Sequence, residues 1–391
     1  MGSPREFTIS ISDEAIEDLH RRLNATRWPD AQTCDDWNQG VPLAYAQELA
    51  DYWRQDYDWR RAEAALNARN QYLIDLEVDG AQHTVHYVHE RSPHEGARPL
   101  ILTHGWPGSV QEFLKVIDAL VDPVAHGGRV EDAFHVVIPS MPGYGFSSKP
   151  RHTGTSVEHI ADLWNELMAQ LGYPHYFAQG GDWGSVVTCA IGLRHWPRCS
   201  GINLNMILAA PDPESLADPS PVEQAALAAA EYYNTSDSGY SKEQATRPQT
   251  LAYALADSPT GQLAWIVEKF WSWSDCERDG SRHPEHAISR DEMLDIVSLY
   301  WFSNSAGSSA RLYWESFTTP NMDPMDVPMG GSLFPHDIFL ASERWAKQRF
   351  RGLCYWNELP RGGHFAALEQ PALFVDEMRA CFACMTDDAA T

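Results

Sequence analysis

The chain is expected to fold as an α/β protein: a mainly parallel sheet with a block of helices inserted into it and a mostly helical extension before it. Three observations predict this. Residues 96–210 alternate short apolar runs with amphipathic segments, the rhythm of a parallel sheet. Residues 211–320 lose that rhythm and become helical and aromatic, and the rhythm returns over 321–391. One apolar run, 176–178, leads into the tight corner Gly180-Gly181-Asp182-Trp183-Gly184 and out into a helical segment, 185–195.

Composition bounds the reading. A chain of 391 residues, 43% hydrophobic and 11% aromatic, can bury a large core, as one large domain with insertions or as two domains. Its net charge of −25, from 29 basic against 54 acidic residues, argues against nucleic acid or an anionic membrane as partner, because both need a basic footprint. No run of about 18 apolar residues occurs, so no transmembrane helix is expected. Residues 1–8 lack the charged-then-apolar pattern of a signal peptide. Seven scattered cysteines in so well cored a chain fit a reducing cytoplasm better than a disulfide framework.

The extension is placed at 1–95. Ser12 can cap a first helix whose first turn holds Asp13 and Glu14, where negative charge suits the helix dipole. Ile16, Leu19 and Leu23 form its apolar stripe. A second helix starts at Pro42, a third spans 59–68, and 72–78 with 84–88 alternate around Asp79-Gly80 as a hairpin. In the sheet region, 96–210 and 321–391, strands are expected at 99–103, 134–139, 176–178, 202–208, 327–334 and 353–357. Helices are expected through Phe113 and Leu120, from a Thr155/Glu158 capping box, from Ser185, and over 368–384. Three strands end in glycine-rich loops at one edge, where open parallel sheets bind ligands. The insertion, 211–320, reads as a helical lid with a Ser289/Glu292 capping box. Most of its aromatics serve its own core. A minority, Trp271 and Trp301 among them, are expected to line an apolar substrate pocket.

Strand, glycine-rich corner, helix is the geometry of a nucleophile elbow. The residue at the tip is Asp182, and no Gly-x-Ser-x-Gly occurs anywhere. Serine suits attack on a carbonyl. A carboxylate suits displacement at a saturated carbon, which leaves an alkyl ester that water must cleave. The substrates implied are epoxides or alkyl halides. The second step needs a base and an acid that orients it. His364 lies in a glycine-flanked loop after the last strand, in the chain order nucleophile, acid, histidine. Asp337, after the preceding strand, is the chosen acid; Asp212, after the strand that follows the elbow helix, is the rival.

Together with Arg27-Trp28-Pro29, His104-Gly105-Trp106-Pro107 and Gly362-Gly363-His364-Phe365-Ala366-Ala367, this elbow makes the sequence resemble an epoxide hydrolase of the α/β-hydrolase fold. The likeness is to the microsomal-type branch, whose members carry an N-terminal epoxide-hydrolase extension, and it covers nearly the whole chain. It implies an α/β-hydrolase fold with an inserted helical lid. It also implies two lid tyrosines that hold the epoxide oxygen, matched by Tyr240 and Tyr313, and an oxyanion hole from the backbone N–H groups of Trp106 and Trp183. No cofactor and no metal are implied. Mammalian relatives begin with a membrane anchor that this chain lacks, and bacterial ones serve natural-product pathways or catabolism. A soluble, cytoplasmic, homodimeric enzyme of secondary metabolism or detoxification is therefore expected.

On this reading the tyrosines hold the epoxide oxygen, Asp182 attacks a ring carbon, and His364 with Asp337 activates water to cleave the ester. The partners are a bulky, aryl-type epoxide and water. A haloalkane dehalogenase would share Asp182 and His364 but hold a halide with Trp or Asn donors, Trp183 among them; the tyrosines and the extension favour the epoxide. A non-catalytic binding protein on a hydrolase scaffold is disfavoured by the intact Asp182, Asp337 and His364 set. An ordinary esterase is disfavoured by the missing elbow serine.

Overall fold

The structure, a computed structural model, describes residues 2–317 and 320–385; residues 386–391 of the expected sheet region lie outside them. β2 (Gln71–Val78) pairs with β3 (Ala81–Glu90) across Asp79-Gly80, both at positive φ, as a two-residue hairpin turn requires. β1 (Arg5–Glu6) extends this ribbon on its outer edge. Then come β4 (Arg98–Thr103), β5 (Phe134–Pro139), β6 (Tyr176–Gly180) and β7 (Cys199–Leu204). β8 (Glu277–Arg278) and β9 (Ser281–Arg282) form a separate small hairpin. β10 (Met329–Leu333) and β11 (Leu353–Glu358) complete the large sheet. Its order is β1-β2-β3-β5-β4-β6-β7-β10-β11, antiparallel from β1 to β5 and parallel from β5 to β11. β6 and β10 are buried along their whole length, as expected for parallel strands covered on both faces. The C-terminal ends of β4, β6, β7 and β10 therefore share one edge.

Four elements differ from the sequence expectation, each for a local reason. The helix through Phe113 and Leu120 breaks into a 3-10 turn, Val110–Phe113, and a short helix, Ile117–Val121. Glu112 folds back to accept the Ser109 N–H and turns inward. The helix Val157–Gln170 is capped by Ser156 rather than Thr155, its Oγ accepting from the His159 N–H. β7 stops at Leu204, because Asn205 turns to accept from Gln179 Nε2 at 2.8 Å. The last helix divides into Ala366–Glu369 and Pro371–Ala383, since Pro371 has no N–H with which to continue the ladder.

Helices between Pro213 and Ser316 follow β7 and precede β10, lying over the shared strand edge. Two helices of the N-terminal region, Leu43–Gln55 and Trp59–Asn67, clasp one of them, Arg290–Phe302. The fully buried Trp53 donates its indole N–H to Ser298 Oγ at 2.9 Å, and the Tyr57 hydroxyl donates to Asp295 at 2.7 Å. Among the described residues no helix is long and apolar enough to cross a membrane.

Candidate active site

The corner after β6 holds Asp182 at φ 51° and ψ −130°, a strained conformation for a residue with a Cβ. The close approach of helix to strand holds it there. A Cβ on Gly184 would lie 1.9 Å from the Thr103 carbonyl oxygen of β4, and one on Gly105 would lie 2.3 Å from Asp182 Cβ. Only glycine fits at either place. Asp182 Oδ1 accepts the Trp106 backbone N–H at 2.8 Å. Its Oδ2 lies 3.3 Å from His364 Nε2. Trp183 is the first residue of the helix Trp183–His195, so its N–H has no partner within that helix.

His364 donates from Nδ1 to Asp337 Oδ1 at 2.6 Å, and that oxygen also accepts the Ile338 N–H at 2.7 Å. Both side chains are buried. Burial works against a charged imidazole, but Asp337 and then Asp182 outweigh it and hold the His364 pKa well above the ordinary histidine range. The imidazole lies between two carboxylates, which favour its charged form. The rival acid Asp212 does a different job: it caps the short helix Pro213–Ala217, accepting the Ser215 N–H at 2.8 Å.

Tyr240 and Tyr313 come down from the inserted helices onto the elbow. Tyr240 stacks on Trp106, with ring centroids 5.0 Å apart and planes within 10°. Tyr313 packs edge-on against Trp183 at 4.8 Å, and its buried hydroxyl has no hydrogen-bond partner among the described residues. The two phenol rings are 5.7 Å apart. Asp182 borders two cavities of opposite character. One, of about 200 Å³, is lined by both tyrosines and apolar groups such as Trp183, Met206, Phe317 and Phe339. The other, of about 20 Å³, is lined by Glu112, Gln179, Asn205 and His364, which is room and polarity enough for a water molecule. A larger groove of about 750 Å³, bordered by Arg27, Trp28 and Pro29, contains none of these groups.

The expected pocket tryptophans lie elsewhere. Trp271 stacks on Trp37 at 5.1 Å beneath the Arg282 guanidinium, and Trp301 lies under Arg22. Successive helical residues turn by about 100°, so Trp271 points away from the site while Trp273, two residues on, points into it. Trp273 packs against Tyr240 at 5.2 Å and His364 at 5.0 Å, and its carbonyl accepts the His364 N–H. Sequence reasoning missed it, along with three other groups. Tyr233 lines the larger cavity with its hydroxyl 3.2 Å from that of Tyr240. His104 donates from Nδ1 to the Gly105 carbonyl and accepts the Met141 N–H at Nε2, a pattern only the neutral ring can make; burial takes its pKa down to about 4. Glu112, enclosed beside the small cavity, has its carboxyl pushed up to about 8 by burial. The Ser109-x-x-Glu112 spacing was the one signal available for it.

Comparison with known proteins agrees with this geometry. Residues 4–113 match the family described as epoxide hydrolase N terminus, and residues 98–254 match the alpha/beta hydrolase fold. A protein of Stigmatella aurantiaca named "Putative epoxide hydrolase" is 54% identical over 96% of this chain and 84% of its own length. Epoxide hydrolase 1 of Sus scrofa is 32% identical over 96% and 88%. Among solved structures, that of Aspergillus niger epoxide hydrolase superposes with a TM-score of 0.87 at 31% identity, covering 98% of this chain and 97% of that one.

Proposed function

The chain belongs to the epoxide hydrolases of the α/β-hydrolase fold, and on that premise we propose that Asp182 opens a compact, apolar epoxide in two half-reactions, through an ester on its own side chain. The observation that carries this reading is the place of Asp182 between an apolar cavity and a water-sized one with polar groups, with Oδ1 on the Trp106 N–H and Oδ2 beside His364. Among the described residues, Asp182 is the one charged group that lines the larger cavity. Its volume of about 200 Å³ lies below the roughly 300–1,000 Å³ of drug-sized pockets, which favours a substrate the size of a single aryl ring.

In the first half-reaction Tyr240 and Tyr313 donate hydrogen bonds to the epoxide oxygen. Asp182 Oδ2 bonds to a ring carbon, the carbon–oxygen bond breaks, and the alkoxide takes a tyrosine proton. Ester formation removes the charge on Asp182, one of the two carboxylates that hold the proton on His364. His364 then releases that proton, which restores the tyrosine, and becomes a base. In the second half-reaction it takes a proton from water in the small cavity, and the hydroxide attacks Cγ of Asp182. The oxyanion forms on Oδ1, where the Trp106 and Trp183 N–H groups hold it. The Cγ–Oδ2 bond breaks, the diol leaves with Oδ2, and His364 passes on the first water proton to it. The second water proton, on the new carboxyl of Asp182, returns to His364. Atoms and charges are as at the start.

The direct test is the His364→Ala variant exposed to styrene oxide. The expected result is no sustained turnover and a mass gain of one epoxide on the peptide bearing Asp182. An inactive variant whose Asp182 peptide stays unmodified would overturn the scheme.

A further inference from the structure

A lysine is buried against the back of Tyr240. Lys269, on the helix Pro259–Trp273, has a side chain only 3% exposed. Its ammonium lies 4.5 Å from the centroid of the Tyr240 ring and 5.3 Å from that of Trp273. Trp106 already covers one face of Tyr240 at 5.0 Å, so the ammonium occupies the other. Nζ donates to Asp237 Oδ1 at 2.7 Å, lies 2.7 Å from Glu268 Oε2, and is 3.4 Å from the Asp237 carbonyl oxygen. Asp237 Oδ2 accepts the Trp273 indole N–H at 2.6 Å and the Ser272 hydroxyl at 3.0 Å. Asp237 itself ends the π-helical turn Tyr233–Asp237, just before Tyr240, and such turns recur at functional sites.

Stability alone does not account for this arrangement. Desolvating two charges costs about as much as their attraction returns, and an apolar residue of similar size serves packing as well. What the arrangement supplies is an ammonium fixed on the face of one phenol by two carboxylates. Tyr240 needs a cation there. Burial above all, and then Tyr313, Tyr233 and Asp182, oppose loss of its proton. Lys269 is the cation that faces its ring, and Asp237 and Glu268 each lie 2.7 Å from the ammonium. A cation over an aromatic face in a desolvated site is strongly attracted to it, and more so as the ring gains negative charge.

We propose that Lys269 is a positioning residue for Tyr240: held by Asp237, its ammonium stabilises the phenolate that develops as Tyr240 gives its proton to the opened epoxide. This rests on the reading of Tyr240 as proton donor and of Asp182 as the group that forms the ester. Lys269 acts only in the first half-reaction, because the second uses His364 and no tyrosine.

The test separates the two halves in the full-length protein. Under single-turnover conditions with styrene oxide and rapid quenching, the rise and decay of the ester on the Asp182 peptide are followed by mass. Lys269→Gln keeps a donor for Asp237 but not the charge. It is expected to slow ester formation about 30-fold while ester hydrolysis stays within about twofold, and Lys269→Arg, which keeps the charge, is expected to recover most of the rate. The double variant Lys269→Met with Asp237→Asn removes the Lys269–Asp237 ion pair yet keeps an acceptor for Trp273, with Glu268 left in place, and so keeps the proposal testable where a single change does not fold. Ester formation in it is expected to remain slow. Wild-type rates in Lys269→Gln, equal slowing of both halves, or a rate restored in the double variant would overturn the proposal. If the wild-type enzyme turns over with no ester on Asp182, the underlying reading falls first, and that outcome is visible before any variant is made.

Discussion

Asp182 meets an apolar cavity on one side and a water-sized one with polar groups on the other, and the proposed scheme gives its two oxygens different work. Oδ1 accepts the Trp106 N–H, while Oδ2 lies 3.3 Å from His364 Nε2 and is, on the proposed scheme, the oxygen that attacks. Glu112 closes the polar side. Burial raises its pKa to about 8 from the ordinary 4.5, so the folded protein holds a proton there that the unfolded chain has lost. Between pH 4.5 and 8 Glu112 keeps a proton in the folded state that it has lost in the unfolded one, so its contribution to stability falls as pH rises through that window. Glu112→Gln cannot ionise. Its melting temperature relative to wild type is expected to rise between pH 5 and pH 8.5, and a difference that stays constant would refute the assignment. At this scale the sequence was legible where a residue sits in a motif: Asp182, His364 and Trp106 are named by their glycine-rich loops. It was not legible for Glu112, His104, Tyr233 or Trp273, whose roles depend on which way a side chain points after three separate segments meet.

Elements carry the site through a few close approaches. β6 and the helix Trp183–His195 meet so tightly that Gly184 lies against the Thr103 carbonyl of β4. Gly184→Ala is expected to cost about 3 kcal/mol of stability, read as a lower midpoint in urea unfolding with an unchanged slope. A midpoint equal to wild type would mean that the corner can open without penalty. Strand and helix positions followed well from apolar periodicity, because burial on both faces of a parallel sheet leaves a nearly unbroken apolar run. Element ends followed less well. The cap moved one residue, from Thr155 to Ser156, whose Oγ accepts the His159 N–H, and β7 gave way at Asn205, which bonds Gln179 of β6. Helix face was the poorest inference: Trp271 and Trp273 are two residues apart, yet one stacks on the N-terminal region and the other on the site.

Over the whole molecule, the sheet carries Asp182, the proposed nucleophile, the inserted helices carry Tyr240 and Tyr313, and the loop of His364 ties the two together. Its backbone is pinned at four consecutive N–H groups. Gly362 donates to Asp275 and His364 to the Trp273 carbonyl, both from the insertion, while Gly363 and Phe365 donate to Glu369. The base is thereby fixed relative to the phenols as well as to Asp182. This coupling was hidden in the sequence, since its partners lie nearly ninety residues apart, whereas the α/β fold class with its helical insertion could be read from strand rhythm and its interruption.

The central claim is that Asp182 itself becomes bonded to the substrate. The measurement that tests it most directly is a single turnover of styrene oxide in oxygen-18 water, with mass analysis of the diol and of the Asp182 peptide. The predicted result is label in the Asp182 carboxylate and an unlabelled first-turnover diol, because the diol leaves with Oδ2 and water oxygen stays on the enzyme. Label in the diol with an unlabelled Asp182 would mean that water attacks the epoxide directly, and would contradict the account.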